Sequence, residues 1–480
     1  MEASMEETLL SRRPEPKEEQ SSAVSEELKR QLWLAGPLIV GFLMRNLIQM
    51  ISLMFLGHLG ELQLAGATMA TSFAGFTGFS LLNGLASGLE TLCGQAFGAR
   101  QYHLVCVHKQ RGMLILTLLS VPLAVVWFYA GSILLLFGLK DEDIAMEAGT
   151  YARWMIPALF AYGLLQCQVR YLQMQNIVFP VMLSAAATVL FHLAVCWVLV
   201  HGLGLGSKGV AIGIAISYWI NVLILAVYVR VSSTCKNTWT GFSIEAFHDP
   251  LVFFRVAVPS ALMVCSEWWL FETIILLSGL LPNARLETSV LSITLSTADC
   301  LYMIPSGLGA AISTRVSNEL GTARPRAARL AVRVAMFFAI SEGLVMAMIL
   351  ISVRHVWGHV YSDQEEVVTY VAKMVLLIAV SSLLDGIQSI LSGVARGCGW
   401  QKIGACINLG AFYIVGIPAA YLFAFVLHIG GMGLWMGIIC GILVQDLLLL
   451  AITLCTDWEK EATKVKDRVL CSALPTDLTT

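Results

Sequence analysis

The sequence predicts an all-α polytopic membrane protein: twelve transmembrane helices in two six-helix lobes that repeat one another in the same orientation. Three observations carry this. The 480 residues are 57% hydrophobic and 13% charged, against roughly 25% charged in an ordinary soluble domain. Twelve apolar stretches reach the roughly 20 residues a spanning helix needs. Landmarks also recur at a nearly fixed spacing. Pro37 precedes Pro259, and Gly57 precedes Gly279, by 222 residues. Gly98 precedes Gly321 by 223, inside the runs Gly98-Ala99-Arg100 and Gly321-Thr322-Ala323-Arg324. Gly209, Gly213 and Asn221 precede Gly433, Gly437 and Gln445 by 224. So small a drift is the mark of an internal duplication.

In chain order, residues 1–31 are acidic and polar, without the basic start and apolar core of a cleaved signal peptide. They are expected to form a disordered cytosolic tail, and the Leu9-Leu10 pair within it reads as chance rather than a sorting signal. The N-lobe, 32–231, is expected to hold helices near 32–56, 66–92, 111–138, 147–170, 177–200 and 208–231. A cytosolic connector follows at 232–250. The C-lobe, 251–455, is expected to hold helices near 251–280, 287–313, 330–352, 367–392, 402–427 and 432–455, before a cytosolic tail at 456–480. Pro37, Pro122, Pro157, Pro180, Pro259, Pro305 and Pro418 are candidate kinks or helix starts.

Short cytosolic loops collect Lys and Arg. With both termini cytosolic, that side receives Lys29, Arg30, Arg100, Lys109, Arg111, Arg170, Arg230, Arg315, Arg324, Arg396 and Lys402 among others. The opposite side receives Lys140, Arg153, Lys208, Arg285 and Arg354. Six spans per half bring both halves in from the same side, so the repeats are parallel and related by an axis along the membrane normal. That is a plan of secondary transporters, with ligand bound between the repeats.

Other classes find little support. A net charge of −2 and the lack of a long basic run argue against nucleic acid. The twelve cysteines are scattered among apolar stretches without metal-site or disulfide spacing, and read as small hydrophobes. No nucleophile–base cluster, metal spacing or nucleotide loop points to an enzyme.

Ionisable residues deep in a spanning helix are costly and usually face a cavity or a partner. Glu267 and Glu272 sit mid-span in the seventh helix, Asp385 and Gln388 in the tenth, Asp299 and Tyr302 in the eighth, and Asp446 in the twelfth. Loss of hydration penalises only the charged form of a carboxyl, so a carboxyl away from water can load and release a proton near neutral pH. Glu267 and Asp385 are therefore the leading proton- or cation-coupling candidates, with Glu272 and Asp299 as additional ones. Glu342, without polar company in sequence, reads as structural. The first helix carries Arg45, Asn46 and Gln49, the last two on one face. With Trp268, Gln388 and Tyr302 they are candidate substrate-cavity residues. At the 222 offset Arg45 is the repeat partner of Glu267, so it is placed to pair with that acid or to hold an anionic substrate. His192 and the aromatics Tyr218, Trp219, Trp268, Trp269, Tyr413 and Trp435 are either stacking surfaces for a ligand or ordinary packing.

Four stretches carry a family resemblance: Met54–Leu62 (MFLGHLGEL), Ala86–Ala99 (ASGLETLCGQAFGA), Ser313–Gly321 (STRVSNELG) and Gly393–Gln401 (GVARGCGWQ). They closely resemble signatures of plant, DETOXIFICATION-type members of the multidrug and toxic compound extrusion (MATE) family, and the resemblance covers about residues 25–455. It implies a MATE-like, two-lobe antiporter that exchanges a small organic solute for protons, or sodium in some relatives, with no bound cofactor. It also implies multidrug or xenobiotic detoxification by export from the cytosol across a vacuolar or plasma membrane, by a monomer. The family's C-lobe cation site, a seventh-helix Glu and a tenth-helix Asp, maps onto Glu267 and Asp385. Arg45, where relatives usually have an uncharged residue, and Asp299, where small residues are usual, depart from the pattern and leave the solute's charge open. An anion channel or anion efflux carrier using Arg45 is the alternative. A major-facilitator carrier is disfavoured by the motifs and by the lack of a basic Gly-rich loop between helices two and three.

Overall fold

The computed structural model describes residues 17–139, 141–361 and 363–473. Among these the chain is helical, with no strand. Its long rods are α1 (Lys17–Leu59), α2 (61–98), α3 (Tyr102–Phe128), α4 (Glu142–Met174), α5 (Phe179–Gly202) and α6 (Gly206–Val231), then α7 (Pro250–Ser278), α8 (Ala284–Gly321), α9 (Pro325–Val360), α10 (Glu365–Cys398), α11 (Gln401–Val426) and α12 (Gly431–Cys455). Nine of these are long and apolar enough to cross a membrane. The other three, α2, α4 and α8, are of similar length and alternate with them along the chain.

The expected spans each overlap one rod, and most ends move outward; the third instead stops at Phe128, with a separate short helix at Ala130–Leu136. Hydropathy fades where polar residues begin, whereas backbone hydrogen bonding does not. The largest correction is at the start. Of the expected disordered tail, residues 1–16, with Leu9-Leu10, lie outside the described residues, and 17–31 are helical and continuous with α1. Lys140 and the side chain of Arg285 also lie outside the description. Within the expected tail at 456–480, Trp458–Ala473 forms one more helix, α13. The connector holds two short turns, Ser233–Cys235 and Ile244–Phe247.

Pro37, Pro122, Pro157, Pro259 and Pro305 lie inside helices. Pro180 starts α5. Pro418 follows a π-helical segment, Gly410–Gly416, in α11. A second such segment, Gly75–Phe79, interrupts α2. Proline and π-turns each loosen the i to i−4 ladder, so these helices have built-in points of bending.

The duplication is visible in three dimensions. The turns after α2 and α8 place Arg100 and Ala323 at φ 59° and 56°. The first helix of each lobe also packs on the opposite lobe. Leu34, Ala35 and Leu38 of α1 share a core with Leu308, Ala310 and Ala311 of α8, while Phe253, Ala257 and Ala261 of α7 join the N-lobe core. Close approach is paired likewise. A Cβ on Gly84 would lie 2.6 Å from Ala261 Cα, and one on Gly307 would lie 3.0 Å from the Ile39 nitrogen.

The lobes meet most tightly at the end that carries both described chain termini. There Gln173 Nε2 donates to the Ala310 carbonyl (3.0 Å), Asn318 Nδ2 to the Met174 carbonyl (3.1 Å) and Gln95 Nε2 to the Gly397 carbonyl (2.9 Å). Buried Glu90 pairs with Arg170 of its own lobe (3.2 Å) and with Arg396 of the other (2.9 Å). Arg315 of α8 binds Glu27 of α1 at 3.0 and 2.8 Å, and Glu319 one turn on at 2.7 Å. Arg170, Lys109, Arg111 and Arg315, counted from sequence as loop charges, are thus buried among helices. α13 lies across this seal. Its Arg468 donates to Gln95 Oε1 (2.8 Å) in the N-lobe and to the Cys398 carbonyl (3.3 Å) in the C-lobe.

Candidate functional site

Two clefts lie on opposite sides of the seam, one in each lobe. In the C-lobe, Glu267 projects from α7 about two turns beyond Pro259, half-buried between α8 and α10. Its Oε2 accepts from Gln388 Nε2 (3.0 Å), and its Oε1 lies 3.1 Å from the Tyr302 hydroxyl. That hydroxyl is also 3.2 Å from Gln388 Oε1. The three side chains therefore form a closed ring.

The ring's hydrogen count is informative. A tyrosine hydroxyl has one proton to donate and an ionised carboxylate none. With Glu267 ionised, one hydroxyl proton faces two acceptors and one edge of the ring has no hydrogen. With Glu267 protonated, every edge is filled. Glu267 donates to Tyr302, Tyr302 donates to Gln388 Oε1, and Gln388 Nε2 donates to Glu267 Oε2.

Asp385 lies on α10, three residues before Gln388 and on the same face. It lines a cleft with Tyr302, Pro305, Glu342, Ser382 and their apolar neighbours. α9 brings Glu342, read from sequence as structural, to the cleft that Asp385 lines, and its Oε2 has no hydrogen-bond partner among the described residues. Asp446 of α12 is buried, both of its oxygens are likewise unpartnered, and it interacts electrostatically with Asp385 and Glu267. Asp299 is exposed one turn before Tyr302, and Glu272 is half-buried within electrostatic reach of it. No ion pair engages any of these acids among the described residues. No group of three or more His, Cys, Asp or Glu among the described residues is arranged to hold a metal ion.

The N-lobe cleft is lined by Arg45, Phe42, Leu38 and Ile48 of α1, Leu165 and Val169 of α4, Ser184 of α5, and Tyr218 and Asn221 of α6. The Arg45 guanidinium lies 5.0 Å from the centre of the Phe42 ring and interacts with the Tyr162 hydroxyl, while Gln49 interacts with the Tyr218 hydroxyl. The expected option of an Arg45–Glu267 pair is not realised. A two-fold axis places the repeat partners in different lobes: Arg45 lines the N-lobe cleft, and Glu267 is held by Tyr302 and Gln388 in the C-lobe.

The other expected cavity residues divide. Gln388 and Tyr302 belong to the acidic ring. Asn46, half-buried, and Trp268, 46% exposed, line neither cleft. Neighbouring Trp269 instead donates across the seam to the Phe76 carbonyl (3.3 Å). His192 is a satisfied core residue, with ring nitrogens 3.0 Å from Ser52 Oγ and 2.9 Å from Ser217 Oγ. Sequence reasoning missed the Glu90–Arg170–Arg396 cluster. The only signal was the acid at the centre of the Ala86–Ala99 motif, and three of the four motifs turn out to line the interlobe seal.

Comparison with known proteins agrees with this architecture. A MatE family model matches residues 37–198 and 259–422, one match per lobe. Protein DETOXIFICATION 16 of Arabidopsis thaliana is 54% identical over 95% of this chain and 93% of its own length. Protein DETOXIFICATION 17 of the same plant is 52% identical over 93% and 94%. Among solved structures, that of the eukaryotic MATE transporter AtDTX14 superposes with a TM-score of 0.89 at 46% identity, covering 93% of this chain and 100% of that one. A multidrug resistance MATE family transporter in an outward-facing conformation shares the fold at a TM-score of 0.80 and 18% identity, over 92% of this chain and 97% of that one.

Proposed function

Because this chain belongs to the MATE family of membrane transporters, we propose that it is a proton-coupled antiporter that exports small organic solutes, secondary metabolites or xenobiotics, from the cytosol by alternating access. The observation that carries the reading is the ring of Glu267, Tyr302 and Gln388 beside Asp385. Its hydrogen bonds are complete only when Glu267 is protonated, so gain and loss of one proton changes how α7, α8 and α10 are held together.

The basic bias of the loops supports a cytosolic location for the end that carries both termini. The interlobe seal then closes the route to the cytosol, and the lobes face the vacuolar lumen or the cell exterior. Protons entering from that acidic side load Glu267 and Asp385, complete the ring and release solute. Reopening toward the cytosol discharges the protons and admits the next solute. Each proton supplies about 1.4 kcal/mol per pH unit and about 2.3 kcal/mol per 100 mV for each charge moved. Across two pH units one proton therefore sustains roughly a hundredfold solute gradient. One copy of the chain, holding both clefts, suffices for the cycle.

The test is uptake into proteoliposomes driven by an imposed pH gradient. Glu267→Gln is expected to abolish that uptake while the protein folds and elutes as wild type does. Undiminished uptake would sink the proposal. The presence of Arg45 in the N-lobe cleft favours a second reading, an anion-conducting protein, which predicts flux that ignores the proton gradient.

A further inference from the structure

We propose that the N-lobe cleft recognises the anionic group of the transported solute, with Arg45 as the specificity-determining residue and an aromatic carboxylate as the ligand class. This rests on the transport reading above and adds the chemistry of the cargo.

The argument begins with charge. A guanidinium carries five N–H donors and a permanent charge. Arg45 is half-buried in a mostly apolar cleft, and among the described residues it forms no ion pair. It interacts with the neutral hydroxyls of Tyr162 and Tyr218, with the ring face of Phe42 and, as a like charge, with Arg170. The acid of this lobe nearest the seam, Glu90, is held by Arg170 and Arg396. The unpaired acids Glu267, Asp385, Glu342 and Asp446 belong to the other lobe, and no acid among the described residues lines this cleft. A permanent cation is thus presented in a low-dielectric cleft with donors to spare, the arrangement that takes a carboxylate in bidentate fashion.

A second, independent observation comes from the same cleft. Asn221 of α6 is 7% exposed, lines the cleft, and its side-chain oxygen has no hydrogen-bond partner among the described residues. A buried acceptor left unmatched carries a desolvation cost that a ligand donor would remove. Beside these two polar groups the cleft is lined by the aromatic rings of Phe42 and Tyr218 among aliphatic side chains, and Tyr162 and Phe79 pack against Tyr218. Tyr162 and Tyr218 have ring centroids 5.7 Å apart, and Phe79 lies 4.7 and 6.3 Å from them. The occupant that satisfies all three features is flat, with a carboxylate for Arg45 and a hydroxyl that donates to Asn221.

The test is equilibrium binding to the purified full-length chain, using 4-hydroxybenzoate, its neutral isostere 4-hydroxybenzamide, and the organic cation tetraphenylphosphonium. Charge-assisted hydrogen bonds of this kind correspond to about a 10- to 100-fold preference for the carboxylate over the amide in the wild type. Arg45→Gln is expected to erase that preference, Arg45→Lys to retain part of it, and neither to weaken binding of the cation. The inference is overturned if wild type fails to prefer the carboxylate, or if folded Arg45→Gln protein, checked by elution and melting temperature, keeps the preference. Uptake of 4-hydroxybenzoate with and without a pH gradient separates the two proposals. Selective uptake indifferent to the gradient removes proton coupling and leaves the anion site standing, whereas pH-driven uptake with unchanged selectivity in Arg45→Gln removes the anion site alone.

Discussion

Gly98 and Gly321, 223 residues apart, face each other across the seam between the lobes: a Cβ on Gly321 would lie 2.9 Å from Gly98 Cα, and one on Gly98 would lie 3.0 Å from Asn318 Cα. Repeat partners meet only on the symmetry axis, so this contact marks where the two-fold axis passes through the seal. Backbone, not a flexible side chain, occupies the space, and backbone does not yield. Gly98→Ala is therefore expected to cost about 1–3 kcal/mol of stability, the range for overpacking a filled core. Gly57→Ala, with nothing within 4 Å of the added methyl, is expected to be neutral or slightly stabilising through helix propensity. Melting curves of the two purified variants check this, and equal curves would refute it.

The start of α1 is held by a partner 288 residues away. Arg315 donates two hydrogen bonds to Glu27 and one to Glu319, and all three side chains are buried. Glu27→Ala leaves the guanidinium with Glu319 alone. The expected destabilisation is about 3 kcal/mol, near the lower bound for breaking a buried ion pair. Thermal or denaturant unfolding of Glu27→Ala measures it. A loss below about 0.5 kcal/mol, typical of an exposed surface pair, would show that α1 does not need this anchor.

Glu27 also shows where sequence reasoning stops. The long helices, the duplication and the presence of Glu267 and Asp385 within electrostatic reach of each other in one lobe are readable because apolar length, spacing and stranded carboxyls are local signals. Glu27 sits in a polar stretch, and what buries it there is a tertiary contact with α8. Glu90 meets Arg396 306 residues away, so nothing in its own neighbourhood separates a buried ion cluster from a polar helix end. Glu342 has only Ser341 beside it as a polar neighbour in an apolar stretch, yet packing of α9 on α10 brings it to the cleft of Asp385. For Arg45, repeat arithmetic gives the right equivalence with Glu267. Equivalence under an axis between lobes, however, means separate lobes rather than contact.

The ring around Glu267 makes a prediction about coupling between its members. Tyr302→Phe removes the hydroxyl that bridges Glu267 and Gln388, and Gln388→Leu removes both an acceptor and a donor. Each is expected to lower pH-driven uptake about tenfold, the equivalent of one hydrogen bond to a charged or proton-bearing group. Because both break the same ring, the double variant should lose much less than the product of the single losses. A double-mutant cycle on initial uptake rates decides it: multiplicative losses would mean that the two residues act separately.

α13 supplies the last prediction, through Arg468. Its guanidinium bridges Gln95 of one lobe and the Cys398 carbonyl of the other, and it packs over Gly399. Opening this end of the transporter separates those two partners, so the bridge stabilises the sealed state only. Arg468→Ala is expected to weaken that state by about 1.5–3 kcal/mol, the worth of hydrogen bonds to a charged group, and to raise the fraction of time the end stands open by about tenfold or more. Cys398, fully buried beneath Arg468, is a native reporter. Its labelling rate with N-ethylmaleimide, read peptide by peptide by mass spectrometry so that exposed Cys300, Cys406, Cys455 and Cys471 serve as internal references, should rise in proportion. A Cys398 rate unchanged relative to those references would mean that α13 lies over the seal without holding it shut.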